Sequence, residues 1–206
     1  LSAWRAVTYR YQATSLTGFV QQLACSYLTH GYFHYVLGRI PEGKDPAGVD
    51  EKLLQRYRIA LSHSQRARRK VAGWGNVHYL RFGRHFALLA TDGPHWLKED
   101  EAKNLRDVRE VPIKVGGYSV RVREGHAHVT IEEGEFRRLR AYLVDLAVHR
   151  QADVLARAFW SVPWEPYVPV RNQLFGILGE VNAKRRRAGY EPVSSSCIRR
   201  RRTVVK

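Results

Sequence analysis

His126 and His128 stand two residues apart, separated by Ala127, in a stretch where apolar and polar residues alternate. In an extended strand residues i and i+2 point the same way, so the two imidazoles share one side and Ala127, Val129 and Ile131 the other. Paired imidazoles can fill two positions of a divalent cation such as Mg2+ or Mn2+, with a third ligand supplied from elsewhere. Such a cation would polarise a phosphate while a nucleophile attacks phosphorus. Tyr142 is the nearest candidate nucleophile, with Asp145 and His149 beside it on a helical wheel. Its attack would leave a phosphotyrosine link that conserves the bond for rejoining. Tyr167 is the other candidate. A bare His-Ala-His also suits a solvated strand face, and a tyrosine at the edge of an apolar stripe also suits packing.

The surrounding residues supply the elements these groups need. Tyr118, Val120 and Val122 alternate with Ser119, Arg121 and Arg123, Glu124-Gly125 makes a two-residue connection, and residues 126–131 alternate again. That pattern predicts a hairpin. A helix is expected from about Glu135, with Phe136, Leu139, Leu143 and Leu146 as its apolar stripe.

Upstream, residues 1–16 mix Trp4, Tyr9 and Tyr11 with Arg5 and Arg10, which reads as an arm or a packed helix. Residues 16–29 predict a helix stopped by Gly31. Residues 32–40 have strand composition, and 41–50 read as a loop. Asp50 would cap a following helix through Leu53, Leu54, Tyr57 and Leu61. The basic run 62–70 falls at or just past its end, and residues 76–91 are one long strand or a hairpin. Residues 98–110 are a short polar helix or loop. Residues 161–170, with three prolines, predict an ordered extended connection, and 171–188 a helix weakened by Gly176 and Gly179.

Thirty-five Lys and Arg against nineteen Asp and Glu give a net charge of +16, and most of the bases are Arg. A polyanion is the partner this implies. Nucleic acid is favoured over a membrane, because no long apolar run and no basic amphipathic helix stands out. The expected phosphate contacts are Arg66, Arg68, Arg69 and Lys70; Arg121 and Arg123; Lys184, Arg185, Arg186 and Arg187; and Arg199, Arg200, Arg201 and Arg202. Trp74, Trp96 and Trp164 are candidates to stack on bases. Two isolated cysteines, Cys25 and Cys197, suggest neither a zinc site nor a disulfide framework, which fits a reducing cytoplasm or nucleoid. The sequence begins at Leu1 and contains no Met, which suggests a start further upstream.

The order of elements predicts an α+β fold: an antiparallel sheet of four or five strands, helices mainly on one face, flanking helices and a basic tail. Here the chain resembles the HUH single-strand endonuclease superfamily, in particular the small tyrosine transposases of the IS200 and REP-associated type. His126-Ala127-His128 matches the metal-binding pair, and residues 31–40, GYFHYVLGRI, are similar to the first strand. Residues 81–91, RFGRHFALLAT, also look like the histidine strand, but read His85-Phe86-Ala87, with alanine in the second position. Aligned through that strand, the chain would be a non-cutting relative. Tyr142 lies only 14 residues after His128, closer than the family's downstream tyrosine. The resemblance implies a ferredoxin-like sheet and the handling of single-stranded DNA.

Two functions follow as expectations. One is a single-stranded or hairpin nucleic-acid-binding protein of mobile-element type, nicking and joining DNA through Tyr142 with a divalent metal on His126 and His128. The other is a non-catalytic RNA- or DNA-binding subunit of a larger nucleoprotein assembly or homodimer. The expected organisation is an arm and helix over 1–30, a core over 31–150, and a connection, helix and Arg-rich tail over 151–206.

Overall fold

A computed structural model describes residues 9–201 of the chain. The fold is α+β, with one antiparallel sheet of four strands and another of three. Two compact units emerge: residues 1–112 with 121–127, and residues 113–120 with 128–206. The division at Pro112 falls inside the stretch 31–150 that the sequence suggests as one core. The hairpin around His126 pairs with residues 113–115, in a sheet separate from the strand at 34–39.

In the first unit, α1 (Leu16–Gln22) precedes β1 (His34–Arg39), which leads through α2 (Pro46–Arg56) and α3 (His63–Val71) to β2 (Val77–Phe82) and β3 (His85–Ala90). Then come α4 (Trp96–Asp100) and β4 (Arg106–Asp107), and the strand order is β2-β3-β1-β4. All three neighbouring pairs are antiparallel. This is the split β-α-β connectivity of ferredoxin-like sheets. The segment before α1 extends the β2 edge, where Arg81 N donates to Tyr11 O (2.7 Å) and Ala13 N to Arg81 O (2.8 Å).

Helices cover both faces of this sheet, where the sequence suggests mainly one. Val36, Val77, Tyr79, Leu88 and Ala90 form one face and pack with Tyr57 and Ile59, past the end of α2, and Leu97 of α4. The opposite face carries Leu80, Ala87 and Leu89, all buried, and α1 packs on β2. Both faces are apolar, so both need a cover. Gly38 on β1 lies opposite Phe86, and a Cβ there would land inside the Phe86 ring, so the glycine lets that ring lie across the strand.

Asp50 is not a cap. Asp45 caps α2 through Gly48 N (2.9 Å), while Asp50 points inward and is fully buried. Its carboxylate accepts from Tyr79 Oη at 2.5 Å and from Arg81 Nε at 2.8 and 2.9 Å. A carboxylate inside a helix, one turn past the cap, is stable there only because two donors on β2 meet it.

His78 is a partly buried polar group on the opposite face of β2. Tyr9 Oη lies 2.7 Å from its Nδ1, and the ring centres of Tyr27 and Tyr32 lie 4.8 Å from its own. Burial first, and the Arg66 guanidinium second, push its pKa down to about 3. An unfolded histidine takes a proton below about 6.5. The folded one stays neutral until about 3, so stability falls as pH drops between those values. Substituting His78→Gln is therefore expected to flatten the decline in unfolding free energy between pH 6.5 and 4, read from urea titrations, to which His78 contributes roughly 3 kcal/mol. A variant that declines as steeply as the parent would show that this ring is not the titrating group.

β5 (Ile113–Val115), β6 (Tyr118–Arg123) and β7 (His126–Ile131) form the three-stranded sheet, in that order; its residues 113–120 and 128–131 belong to the second unit, with three helices. Glu124 and Gly125 both have positive φ, 51° and 76°, as a two-residue primed turn requires. The helices are α5 (Glu133–Leu146), α6 (Ala152–Trp160) and α7 (Val168–Arg187), and α5 packs on both of the others. α7 starts earlier than the sequence suggests, because Pro169 sits in its first turn, where a missing N–H costs nothing. Beyond α7 the chain is anchored: Val193, Cys197 and Ile198 are buried, and Arg199 Nη2 donates to Val162 O and Trp164 O. Among the described residues no helix is long and apolar enough to cross a membrane.

Candidate nucleic-acid interface

The basic run 62–70 forms a helix of its own, α3, although it has no apolar stripe. The Ser62 hydroxyl accepts from Gln65 N while Gln65 Oε1 accepts from Ser62 N, a reciprocal cap. Arg66 fixes the helix to the unit by donating to Ile59 O (2.7 Å) and Val77 O (3.1 Å). Arg69 donates through Nη2 to Gly75 O (2.8 Å), tying down the turn that follows. Arg68 and Lys70 remain exposed and form no ion pair with a described residue.

That turn presents Trp74. Gly75 N donates to Pro94 O (3.0 Å), docking the 73–75 turn against the 92–94 turn that leads into Trp96. The approach needs glycine: Gly93 has φ +97°, and a Cβ on it would meet Gly73 O at 2.5 Å. Two tryptophans from distant parts of the sequence, 51% and 44% exposed, are thus mounted at one cleft of about 580 Å³. Arg58, Arg68, Arg69, Pro94, His95 and Glu99 complete much of its lining.

The cleft has marked electrostatic character. The Arg58 guanidinium lies 4.8 Å from the Trp96 ring centre, and Arg58 holds φ +47°, a left-handed conformation uncommon outside glycine. His95 is buried, and its Nδ1 accepts from Leu97 N at the start of α4. Burial, with Arg69 adding repulsion, pushes its pKa down to about 4, so it is neutral at pH 7. Two flat apolar walls, guanidinium groups and a neutral imidazole can hold an unstacked base and its flanking phosphates.

The remaining expected phosphate-binding residues divide sharply. Arg185 is buried and donates to Ala147 O, Arg150 O and Glu191 O, so it holds the fold together and cannot reach a phosphate. Lys184 caps α5 by donating to Val144 O, and Arg199 is turned onto backbone carbonyls. A buried guanidinium needs acceptors, and the carbonyls left open near helix ends provide them. Arg123, Arg186, Arg187, Arg200 and Arg201 are exposed, and Arg121 is half-buried. Arg202 and residues 1–8, with Trp4 and Arg5, lie outside the described residues. Trp164 is buried, packed near Gly117, and is no stacking platform. Trp160, which the sequence does not single out, is 56% exposed beside Arg200 and Arg201.

His126 is exposed and His128 half-buried on β7, alternating with buried Val129 and Ile131 as expected. Tyr142 lies on the outer side of α5, next to buried Leu143, and is 57% exposed. Tyr167 is buried and meets the Tyr118 ring edge-on. Among the described residues, no group of three or more His, Cys, Asp or Glu side chains is placed to hold a metal ion. On the ferredoxin-like sheet itself, β3 carries exposed His85 and buried Ala87, a single imidazole.

No protein-family model matches the chain, and no curated protein or solved structure matches it either.

Proposed function

We propose that the chain is a non-catalytic module that binds single-stranded nucleic acid through the cleft between Trp74 and Trp96. The observation that carries this reading is the joining of two exposed tryptophans with the unspent guanidinium of Arg68 at one docked pair of turns. Net charge alone would favour any polyanion. Exposed aromatic walls add a preference for unpaired bases, which duplex DNA does not offer. The lone imidazole on β3 supports binding without cutting, since the transposase-like expectation needs a second one there. Exposed Arg186, Arg187, Arg200 and Arg201 would add sequence-independent attraction.

Fluorescence anisotropy with a labelled single-stranded 12-mer, titrated over a range of salt, tests this. Affinity is expected to fall steeply with salt, and Arg68→Ala with Lys70→Ala should lower the log–log slope by about 1.4, at roughly 0.7 per phosphate contact. Absence of binding at low salt, or an unchanged slope, would overturn the reading. The same oligonucleotide with Mn2+ is expected to give no covalent adduct. An adduct abolished by Tyr142→Phe would replace this reading with tyrosine-mediated nicking.

A further inference from the structure

Glu99 is the unexpected member of the cleft. It stands one turn after Trp96 on α4, lining the same space as Arg58, Arg68 and Arg69. Amid three guanidinium groups it would ordinarily form an ion pair. Instead it has no ion pair or hydrogen bond to any described residue, while its neighbour Arg69 is spent on Gly75 O and Arg58 lies over Trp96. The carboxylate therefore keeps both oxygens as free acceptors.

We propose that Glu99 makes this cleft selective for an unpaired guanine within a single strand, a refinement that rests on the binding function proposed above. A carboxylate is acceptor-only and prefers two N–H donors side by side. Guanine alone among the common bases shows that pair on its pairing edge, at N1 and N2. Adenine and cytosine place a ring acceptor beside their amino group, and uracil and thymine flank one N–H with two carbonyls, so each meets the carboxylate with repulsion. On guanine's other edge O6 and N7 are acceptors suited to a guanidinium, the group Arg68 leaves unpaired. Because the pairing edge is engaged, the base must be unpaired or flipped out, which agrees with stacking on the exposed faces of Trp74 and Trp96.

The test uses thymine octamers with one central guanine, inosine, adenine or cytosine, in deoxy and ribo forms, with guanosine monophosphate as competitor. The guanine octamer is expected to bind about tenfold tighter than the adenine one, within the range a bidentate base contact discriminates. Inosine, which lacks the N2 amino group, should fall between them. Glu99→Gln should erase the preference, because an amide offers one acceptor where two are needed. Guanosine monophosphate should compete poorly, lacking the neighbouring phosphates that Arg68 and Lys70 would meet. Equal affinity for all octamers, or a preference that survives Glu99→Gln, would overturn the guanine assignment and leave strand binding standing. Binding of the mononucleotide as tight as the octamer would overturn the strand part. Failure of every octamer to bind would remove the underlying function as well.

Discussion

The double variant Trp74→Ala, Trp96→Ala is expected to bind single-stranded oligonucleotide about 30-fold more weakly or worse. Stacking of a base on an aromatic side chain is worth about 1–3 kcal/mol by alanine substitution, and both walls of the cleft are removed. Neither ring supports the core: Trp74 is 51% exposed and Trp96 44% exposed. Within the protein, the substitutions remove the stacking of Arg58 on Trp96, worth about 0.5–1 kcal/mol at an exposed site. Affinity and stability should therefore separate, with a large change in Kd and a small one in melting temperature. Anisotropy and a thermal melt on the same preparation check both. An affinity within threefold of the parent would move the binding surface away from this cleft, towards Trp160 and the C-terminal arginines.

Asp50→Ala should act in the opposite sense, on stability rather than binding. The substitution leaves the Arg81 guanidinium, 7% exposed, without its carboxylate and the Tyr79 hydroxyl without its acceptor. Breaking a buried pair from one side costs about 3–5 kcal/mol, a large part of the roughly 5–15 kcal/mol that holds a domain folded. A urea titration should show the transition moved to much lower denaturant. The double variant Asp50→Leu, Arg81→Met, which removes both charges, should recover most of that loss. A loss below about 1 kcal/mol for Asp50→Ala would mean that water reaches the pair and screens it.

The contrast between these two variants reflects what could be read from the sequence. The β2–β3 pair, the β6–β7 hairpin and α5 were legible, because alternation and a helical stripe are local signals that packing obeys. The α+β class follows from the order of elements, whereas the ferredoxin-like sheet is implied by the resemblance alone, and its fourth strand, β4, falls within residues 98–110, which read as a short polar helix or loop. Helix α3 was not separated from α2, since residues 62–70 have no apolar face; a capping box and the Arg66 bonds to distant carbonyls hold it. Asp50 looked like a cap because Asp near a helix start usually is one, and only β2 shows its true partners. Arg185 looked like its neighbours in a basic run, yet one position on α7 turns it inward and the next two turn outward. The candidate site was half legible. Trp74 and Trp96, each beside glycine or proline turns, were visible as candidate platforms; Arg58 and Glu99 were not, because their relevance comes from the docking of remote turns.

That docking has an evolutionary corollary. Trp74 sits in the turn after α3 and Trp96 on the first turn of α4, both outside the paired strands, whereas the glycines at 75 and 93 form the joint itself. Residues at the rim can drift while the joint stays fixed. A lineage of such chains could exchange one preferred ligand for another by changing the few side chains around the rim, leaving the scaffold beneath untouched. The same separation makes the cleft a practical place to graft new recognition by design.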